Sequence, residues 1–413
     1  MASRNGIAMR IASVAVGVLI ALLSSAALAW MGIDADRTVP EAAGAWTNVT
    51  SSPSPPAMAG AVMAYSSRDD RFVVFGGWNG TDLSGTWSFD PVSRTWSEIS
   101  THAPRARGDA AFAYDAWLNV FVLFGGWYEE PLGTYHRLSD TWHFYLANAT
   151  WIPIEPPEAP APRSDSAFAF DALHRVFVLF GGFNGASFLA DTWYYSAGSE
   201  RWTSVATAGS PGPRADGRIA YGQSSGEFYL FGGNDYSGPN FTFHHLNDSW
   251  KFQVDQSRWT AIDQSGGPSA RDYAVLAFDT NSGNFLLLGG FGESTILGDL
   301  WAFNPSLERW SEVQPANPPE PRFAAVGGFD PVQNVFLIFG GLGNQGLLAD
   351  TWLFSLSGGR GPPLLGVPGE FVGVGSAIAI GIAVAVVFRA YARRRSPRTQ
   401  SLLHGSSRMF QVS

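Results

Sequence analysis

An apolar run closed by two glycines recurs six times along this 413-residue chain, as Phe75-Gly76-Gly77, Phe124-Gly125-Gly126, Phe180-Gly181-Gly182, Phe231-Gly232-Gly233, Leu288-Gly289-Gly290 and Phe339-Gly340-Gly341. The intervals are 49, 56, 51, 57 and 51 residues. A period near 50 marks one supersecondary unit repeated, and such units bury their apolar faces only against one another. Length alone would suggest two or three domains, but a repeat of this extent demands one assembly.

Each copy carries more than its glycines. Eighteen residues before the first glycine stands Arg107, Arg163, Arg214, Arg271 or Arg322, with Met58 in the first copy. After the glycines and a loop come Asp140-Thr141-Trp142, Asp191-Thr192-Trp193, Asp248-Ser249-Trp250, Asp299-Leu300-Trp301 and Asp350-Thr351-Trp352, against Gly85-Thr86-Trp87 in the first copy. Nine residues later a second Trp follows in five copies, at Trp96, Trp151, Trp202, Trp259 and Trp310.

These segments read as four strands per unit. Ala110-Ala111-Phe112-Ala113-Tyr114 alternates small with large, as suits a strand crowded near a central axis. Val120-Phe121-Val122-Leu123-Phe124 is apolar throughout, the pattern of a strand buried on both faces, and it ends at residues that permit a tight turn. The two Trp segments supply a third and a fourth strand with wide aromatic surfaces.

The period, the Gly-Gly signature and the paired Trp positions resemble the kelch repeat, whose units are the four-stranded blades of a β-propeller. The resemblance implies an all-β, six-bladed propeller over residues 44–357. The sixth copy has Gly361 where its outer-strand Trp belongs, while an orphan Trp46-Thr47-Asn48-Val49 precedes the first copy. The expectation is that this N-terminal segment closes the ring as the outer strand of blade six, which removes exposed sheet edges.

The termini read as membrane segments. Arg4 and Arg10 precede an uncharged stretch with a small-residue site at Ala27-Leu28-Ala29, so residues 1–30 are expected to be a signal peptide or an uncleaved signal anchor. Residues 358–370 form a Gly/Pro-rich stalk, 371–388 an uncharged stretch at the short limit for a transmembrane helix, and 389–413 a basic tail. The arginines of that tail place it in the cytoplasm, and the propeller outside, with one membrane pass or two depending on signal cleavage. The chain has no cysteine, so no disulfide supports the exported ring. Its formal charge is −9, and the flanking segments are basic, which leaves the propeller more acidic still and makes nucleic acid an unsuitable partner.

Strand direction puts the loops between second and third strands on one face, together with the inter-blade connectors that carry the arginines. Blades two and four have long loops there, over residues 127–139 and 234–247, rich in Tyr, Phe and His. Loop length on one face is where specificity is built. The candidate ligand-binding residues are therefore Arg107, Arg163, Arg214, Arg271, Arg322, Tyr128, Tyr135, His136, Tyr236, Phe243, His244 and His245. The plainer reading of the five arginines is as inter-blade charge pairs with the Asp that precedes each Trp and as loop anchors. For Asp109, Asp165 and Asp216, each two residues beyond its Arg, it is turn capping.

No catalytic set is marked. Galactose oxidase, a copper enzyme built on such repeats, needs a Cys joined to a Tyr, and no Cys exists here. No metal or cofactor is expected: His244 and His245 are adjacent, point oppositely on a strand, and lack a third ligand. The kelch resemblance implies a module binding a protein or glycan, and the terminal segments make it an expected membrane-anchored one at the cell surface. A sugar mutarotase or epimerase, or a structural envelope component, is the alternative.

Overall fold

The computed structural model describes residues 44–99, 101–130, 133–237, 242–263 and 266–356. They form six four-stranded antiparallel sheets, each a meander in chain order except the last. Blade one runs Val62–Ser66, Arg71–Phe75, Thr86–Asp90 and Thr95–Ile99, and blade two Ala111–Asp115, Val120–Phe124, Thr141–Tyr145 and Thr150–Ile154. Blades three, four and five follow over 167–205, 218–262 and 275–313 with the same order.

Blade six takes three strands from the end of the repeat region, Val326–Asp330, Val335–Phe339 and Thr351–Ser355. Its fourth is Ala45–Asn48, from the start. Trp46 pairs with Phe354 in register. Its indole is buried against Phe336 and Phe354, with ring centroids 5.9 and 5.2 Å away. The closing strand is also tied to blade five, because Trp46 N–H donates to Ala316 O and Ala316 N–H donates to Gly44 O, both at 2.9 Å. Ring closure thus joins residues far apart in sequence through ordinary backbone pairing.

The core is a set of seams between neighbouring blades. Val120, Val122 and Phe124 pack with Phe177, Leu179 and Trp202 of blade three. Phe121 and Leu123, on the other face of the same strand, pack with Val73 and Phe75 of blade one. Each second strand therefore contributes to two seams, which is why the four residues before each double glycine are apolar. The outer-strand Trp of each blade crosses its seam: Trp96, Trp151, Trp202, Trp259 and Trp310 donate Nε1–H to Thr351, Thr86, Thr141, Thr192 and Ser249 at the start of the preceding blade's third strand, at 2.9–3.3 Å. The sixth, Trp46, faces a blade whose equivalent residue is Leu300, and its buried Nε1 has no hydrogen-bond partner. The Asp-Leu-Trp variant visible in the fifth copy explains that orphan.

The double glycine serves the seam as well. Gly125 has φ +64° and Gly126 φ +97°, and a Cβ on Gly125 would lie 2.5 Å from Arg163 O of the next blade. Gly126 N–H donates to that same carbonyl at 2.9 Å. A close backbone approach of this kind admits only glycine.

The membrane and signal segments expected over 1–30, 358–370, 371–388 and 389–413, and Gly361, lie outside the described residues. Among the described residues no helix is long and apolar enough to cross a membrane.

Candidate functional site

Two residues beyond each repeated Arg, or Met58, the backbone enters the left-handed region, at Gly60, Asp109, Asp165, Asp216, Tyr273 and Ala324, with φ between +47° and +62°. The N–H groups of Gly60, Asp109, Asp165, Asp216 and Ala324 each donate to the carbonyl of the equivalent residue in the preceding blade, at 2.8–3.1 Å. A belt of backbone hydrogen bonds thus runs around the axis. Asp tolerates this conformation better than most residues, whereas Tyr and Ala there are strained. The belt surrounds a central cavity of about 140 Å³, lined by Gly60, Asp109, Asp165, Asp216, Arg218 and Ala324 together with the innermost strands.

The belt lies at the end of the channel where the loops after the double glycines begin, since Gly108 bridges Trp127 and Ala215 bridges Asn234. Those two residues hold the acids. Trp127 Nε1–H donates to Asp109 Oδ2 at 2.7 Å, and Asn234 Nδ2 donates to both Asp216 Oδ2 and Asp272 Oδ2 at 2.8 Å. His245 Nδ1 lies 3.2 Å from Asp272 Oδ2. Ser164 donates to Asp165 through a short hydrogen bond, and the Tyr273 hydroxyl reaches Asp165 Oδ1 at 3.4 Å. Arg218 donates Nε–H to Ala274 O at 2.7 Å from the cavity wall.

Four carboxyls in so small a space perturb one another. Burial, reinforced by the charge of Asp165, pushes Asp109 up to about 7, against the hydrogen bond from Trp127 and the charges of Arg218 and Arg137. Asp109 keeps part of its surface open to the cavity, so the burial effect is tempered. Asp216 is raised well above the ordinary carboxylate range, by burial first and then by Asp165 and Asp109. Asp272 is raised by burial, with Asn234, His245 and Arg218 opposing. Burial and the same carboxylates raise the Tyr273 hydroxyl.

The five repeat arginines lie elsewhere. Arg107, Arg163, Arg214, Arg271 and Arg322 are buried, and none lines the cavity. Arg107 is representative: Nη1 and Nη2 grip Asp140 at 2.6 and 2.8 Å, Nη1 also donates to Gly125 O at 2.8 Å, and Nε–H donates to Arg105 O at 3.0 Å. The same forks join Arg163 to Asp191, Arg214 to Asp248, Arg271 to Asp299 and Arg322 to Asp350. Contrary to the expectation of inter-blade pairing, each pair ties the first strand's entry to the third strand of the same blade. The next-blade link runs instead through backbone, as in Gly77 N–H to Arg107 O at 2.9 Å. Burial alone would raise the paired carboxyls, but the arginine hydrogen bonds and charge more than offset it and hold all five below the usual range.

The two long loops are hairpins that extend above the ring. In blade two, Trp127–Glu130 pairs with Thr134–Arg137. Tyr128 stacks on His136 at 5.0 Å and receives Arg105 over its other face at 3.9 Å, while Trp127 meets Tyr135 edge-on at 5.6 Å. Tyr135 remains 58% exposed. In blade four the strands Glu227–Ser237 and Thr242–Gln253 run on past the glycines, with Tyr236 opposite Phe243, Asp235 opposite His244 and Asn234 opposite His245. His244 is exposed, whereas His245 turns inward to Asp272. The structure thus brings Tyr128, Tyr135 and His136 together in one hairpin and His245 to Asp272.

Sequence reasoning treated Asp109, Asp165 and Asp216 as turn caps and missed Asp272, Arg218, Tyr273 and Asn234. The available signal was an Asp two residues beyond Arg in three successive blades, a position that points at the axis once the ring is drawn. Among the described residues no group of three His, Asp or Glu is arranged to hold a metal ion.

Six four-stranded blades with a Gly-Gly turn at every seam and a hairpin-crowned central cavity define a six-bladed β-propeller. A sequence profile for the KLHDC2/KLHL20/DRC7 Kelch-repeats domain matches residues 40–233 and 208–360, and the chain belongs to the kelch-repeat family. It is similar to Mei4-dependent protein 6 of Schizosaccharomyces pombe, 23% identical over 162 residues, which is 37% of this chain and 23% of the relative. Against the flagellar outer arm dynein alpha chain of Chlamydomonas reinhardtii it is 26% identical over 224 residues, 50% of this chain and 5% of the relative. Against human Kelch domain-containing protein 10 it is 25% identical over 201 residues, 45% of this chain and 43% of the relative. The matched stretch spans less than half of each of these relatives.

Proposed function

We propose that this chain is a membrane-tethered, exported binding module whose propeller holds a partner protein on the face bearing the blade-two and blade-four hairpins. Kelch propellers mediate protein interactions, and nothing in the cavity marks a reaction. The observation that carries the reading is the asymmetry of one face: the hairpins of blades two and four reach further than the short ones of blades five and six, presenting exposed Tyr135 and His244. Extended strands bearing aromatic residues offer stiff contact area at small entropic cost. The tether and the outward orientation rest on the apolar, Arg-flanked segments near both ends of the sequence.

A screen of the full chain against cell-surface proteins and glycans, alongside variants with residues 128–136 or 235–244 replaced by short turns like that of blade three, tests the assignment. Protein binding lost with the shortened hairpins is expected. Binding that survives both truncations, or that goes to glycans alone, overturns it. For the tether, carbonate extraction and protease treatment of intact cells should show a membrane-retained chain whose propeller is cleaved from outside.

A further inference from the structure

We infer that the central cavity receives an organic cation, an ammonium or guanidinium group, carried by what binds the hairpin face. The inference rests on the binding role proposed above and adds the chemistry of the ligand. Three carboxyls, from Asp109, Asp165 and Asp216, line the cavity, and Asn234 links Asp216 to a fourth, Asp272. The basic groups that face them are Arg218, Arg137 and His245. Arg218 is already engaged by Ala274 O, and Arg137 lies 5.3 Å from the Phe183 ring.

A second observation points to a missing donor. Asp216 is only 5% exposed and lines the cavity, yet its Oδ1 accepts no hydrogen bond; Asp272, 2% exposed, leaves its own Oδ1 in the same condition. Buried carboxylate oxygens without donors cost free energy unless a proton or a ligand supplies one. Burial raises both carboxyls, so a proton is one way to satisfy such an oxygen. A cation would replace that proton and gain from the Asp109, Asp165 and Asp216 carboxyls at once, whereas a neutral hydroxyl would leave the repulsion among them in place.

The rest of the lining suits the stem of such a group. Phe112, Phe168, Ile219, Val275 and Leu276 line the cavity without a charge. Methylene carbons pack on such a surface and aromatic faces attract a cation. At about 140 Å³ the cavity holds several water volumes of about 30 Å³, enough for a guanidinium and part of its stem.

Titration of the full chain in detergent by calorimetry provides the test, with N-acetyl-arginine methylamide, N-acetyl-lysine methylamide and putrescine as cations. Their neutral counterparts are N-acetyl-citrulline methylamide and methyl galactoside. At least one cation should bind, and citrulline, which has arginine's shape without its charge, should bind at least about tenfold more weakly. Preference for an amide-capped amino acid over putrescine identifies a side chain as the source, and the reverse order a free amine. Binding should release a proton and strengthen as pH rises through about 7, because Asp109 becomes charged over that range. Asp216→Asn should lower affinity about tenfold or more, with Asp165→Asn as a second variant on a less buried position. Equal binding of citrulline, binding of galactoside alone, no cation binding at tens of millimolar, or unchanged affinity in both folded variants overturns the inference. Partner capture that depends on the hairpins but ignores Asp216→Asn would remove the cation and leave the binding role standing.

Discussion

Breaking the Arg163–Asp191 pair from its two ends should have unequal consequences. Arg163 is 2% exposed and Asp191 38%. Asp191→Ala strands a buried guanidinium beside the Gly181 and Ala161 carbonyls it still serves, with its charge unmatched. Loss of one partner of a buried pair costs about 3–5 kcal/mol, and the exposure of Asp191 places this case near 3. Arg163→Met instead leaves a carboxylate that can hydrate from its open edge. Its cost should be about 1–2 kcal/mol of hydrogen bonding. The double variant approaches blade one, where Met58 is buried in the arginine position and Gly85 replaces the acid. It should therefore cost little more than Arg163→Met, and less than Asp191→Ala by about 1 kcal/mol or more, a coupling large enough to measure. Equilibrium urea unfolding of the full chain, followed by Trp fluorescence and near-ultraviolet circular dichroism, reads all four corners. Equal costs at the two ends, or simple additivity, would refute the account of the arginine as the buried and dependent partner.

Further consequences concern the closure, the seams and pH. Trp46→Ala should cost about 3–5 kcal/mol by opening a cavity in the closing seam, while Trp46→Phe should be milder than Trp96→Phe because only Trp96 loses a hydrogen bond; thermal melts of the set decide this. Thr351→Val, which removes the acceptor of Trp96 with little change in volume, should cost about 1 kcal/mol, and an unchanged urea midpoint would discount the seam hydrogen bonds. The pH dependence has two opposed parts. The five arginine-paired carboxyls sit below their unfolded values, so their stabilisation is full above the unfolded carboxylate range and fades as pH falls through the depressed values. Asp109 is raised, so its contribution is present in acid and lost as pH climbs toward about 7. Asp109→Asn should accordingly gain about 1–2 kcal/mol relative to the parent between pH 5 and pH 8, discounted for the cavity opening, and a difference independent of pH would show that Asp109 is not titrating as described.

The repeat itself was legible in the chain because each blade repeats the same local problem. A strand buried on both faces must be apolar throughout, a backbone pressed against the next blade's carbonyl must be glycine, and a seam-crossing Trp must find a hydroxyl. Those constraints act on single residues at constant spacing, so blade number, strand order and the closure by Trp46 follow from the order of residues. The partner of each repeat arginine was legible as a residue type, but whether the pair lay within or between blades was not, because spacing along the chain does not say which strand returns beside which.

The acidic cavity belongs to the tertiary structure alone. Asp109, Asp165, Asp216 and Asp272 are separated by about fifty residues each in the sequence, where each reads as one more turn carboxyl. Only the closed ring brings successive connectors to one axis, removes water from between their side chains and makes their charges act on one another. Coulomb energy and desolvation depend on distances across the channel, and those distances are set by the radius of a six-bladed ring rather than by any local stretch of sequence.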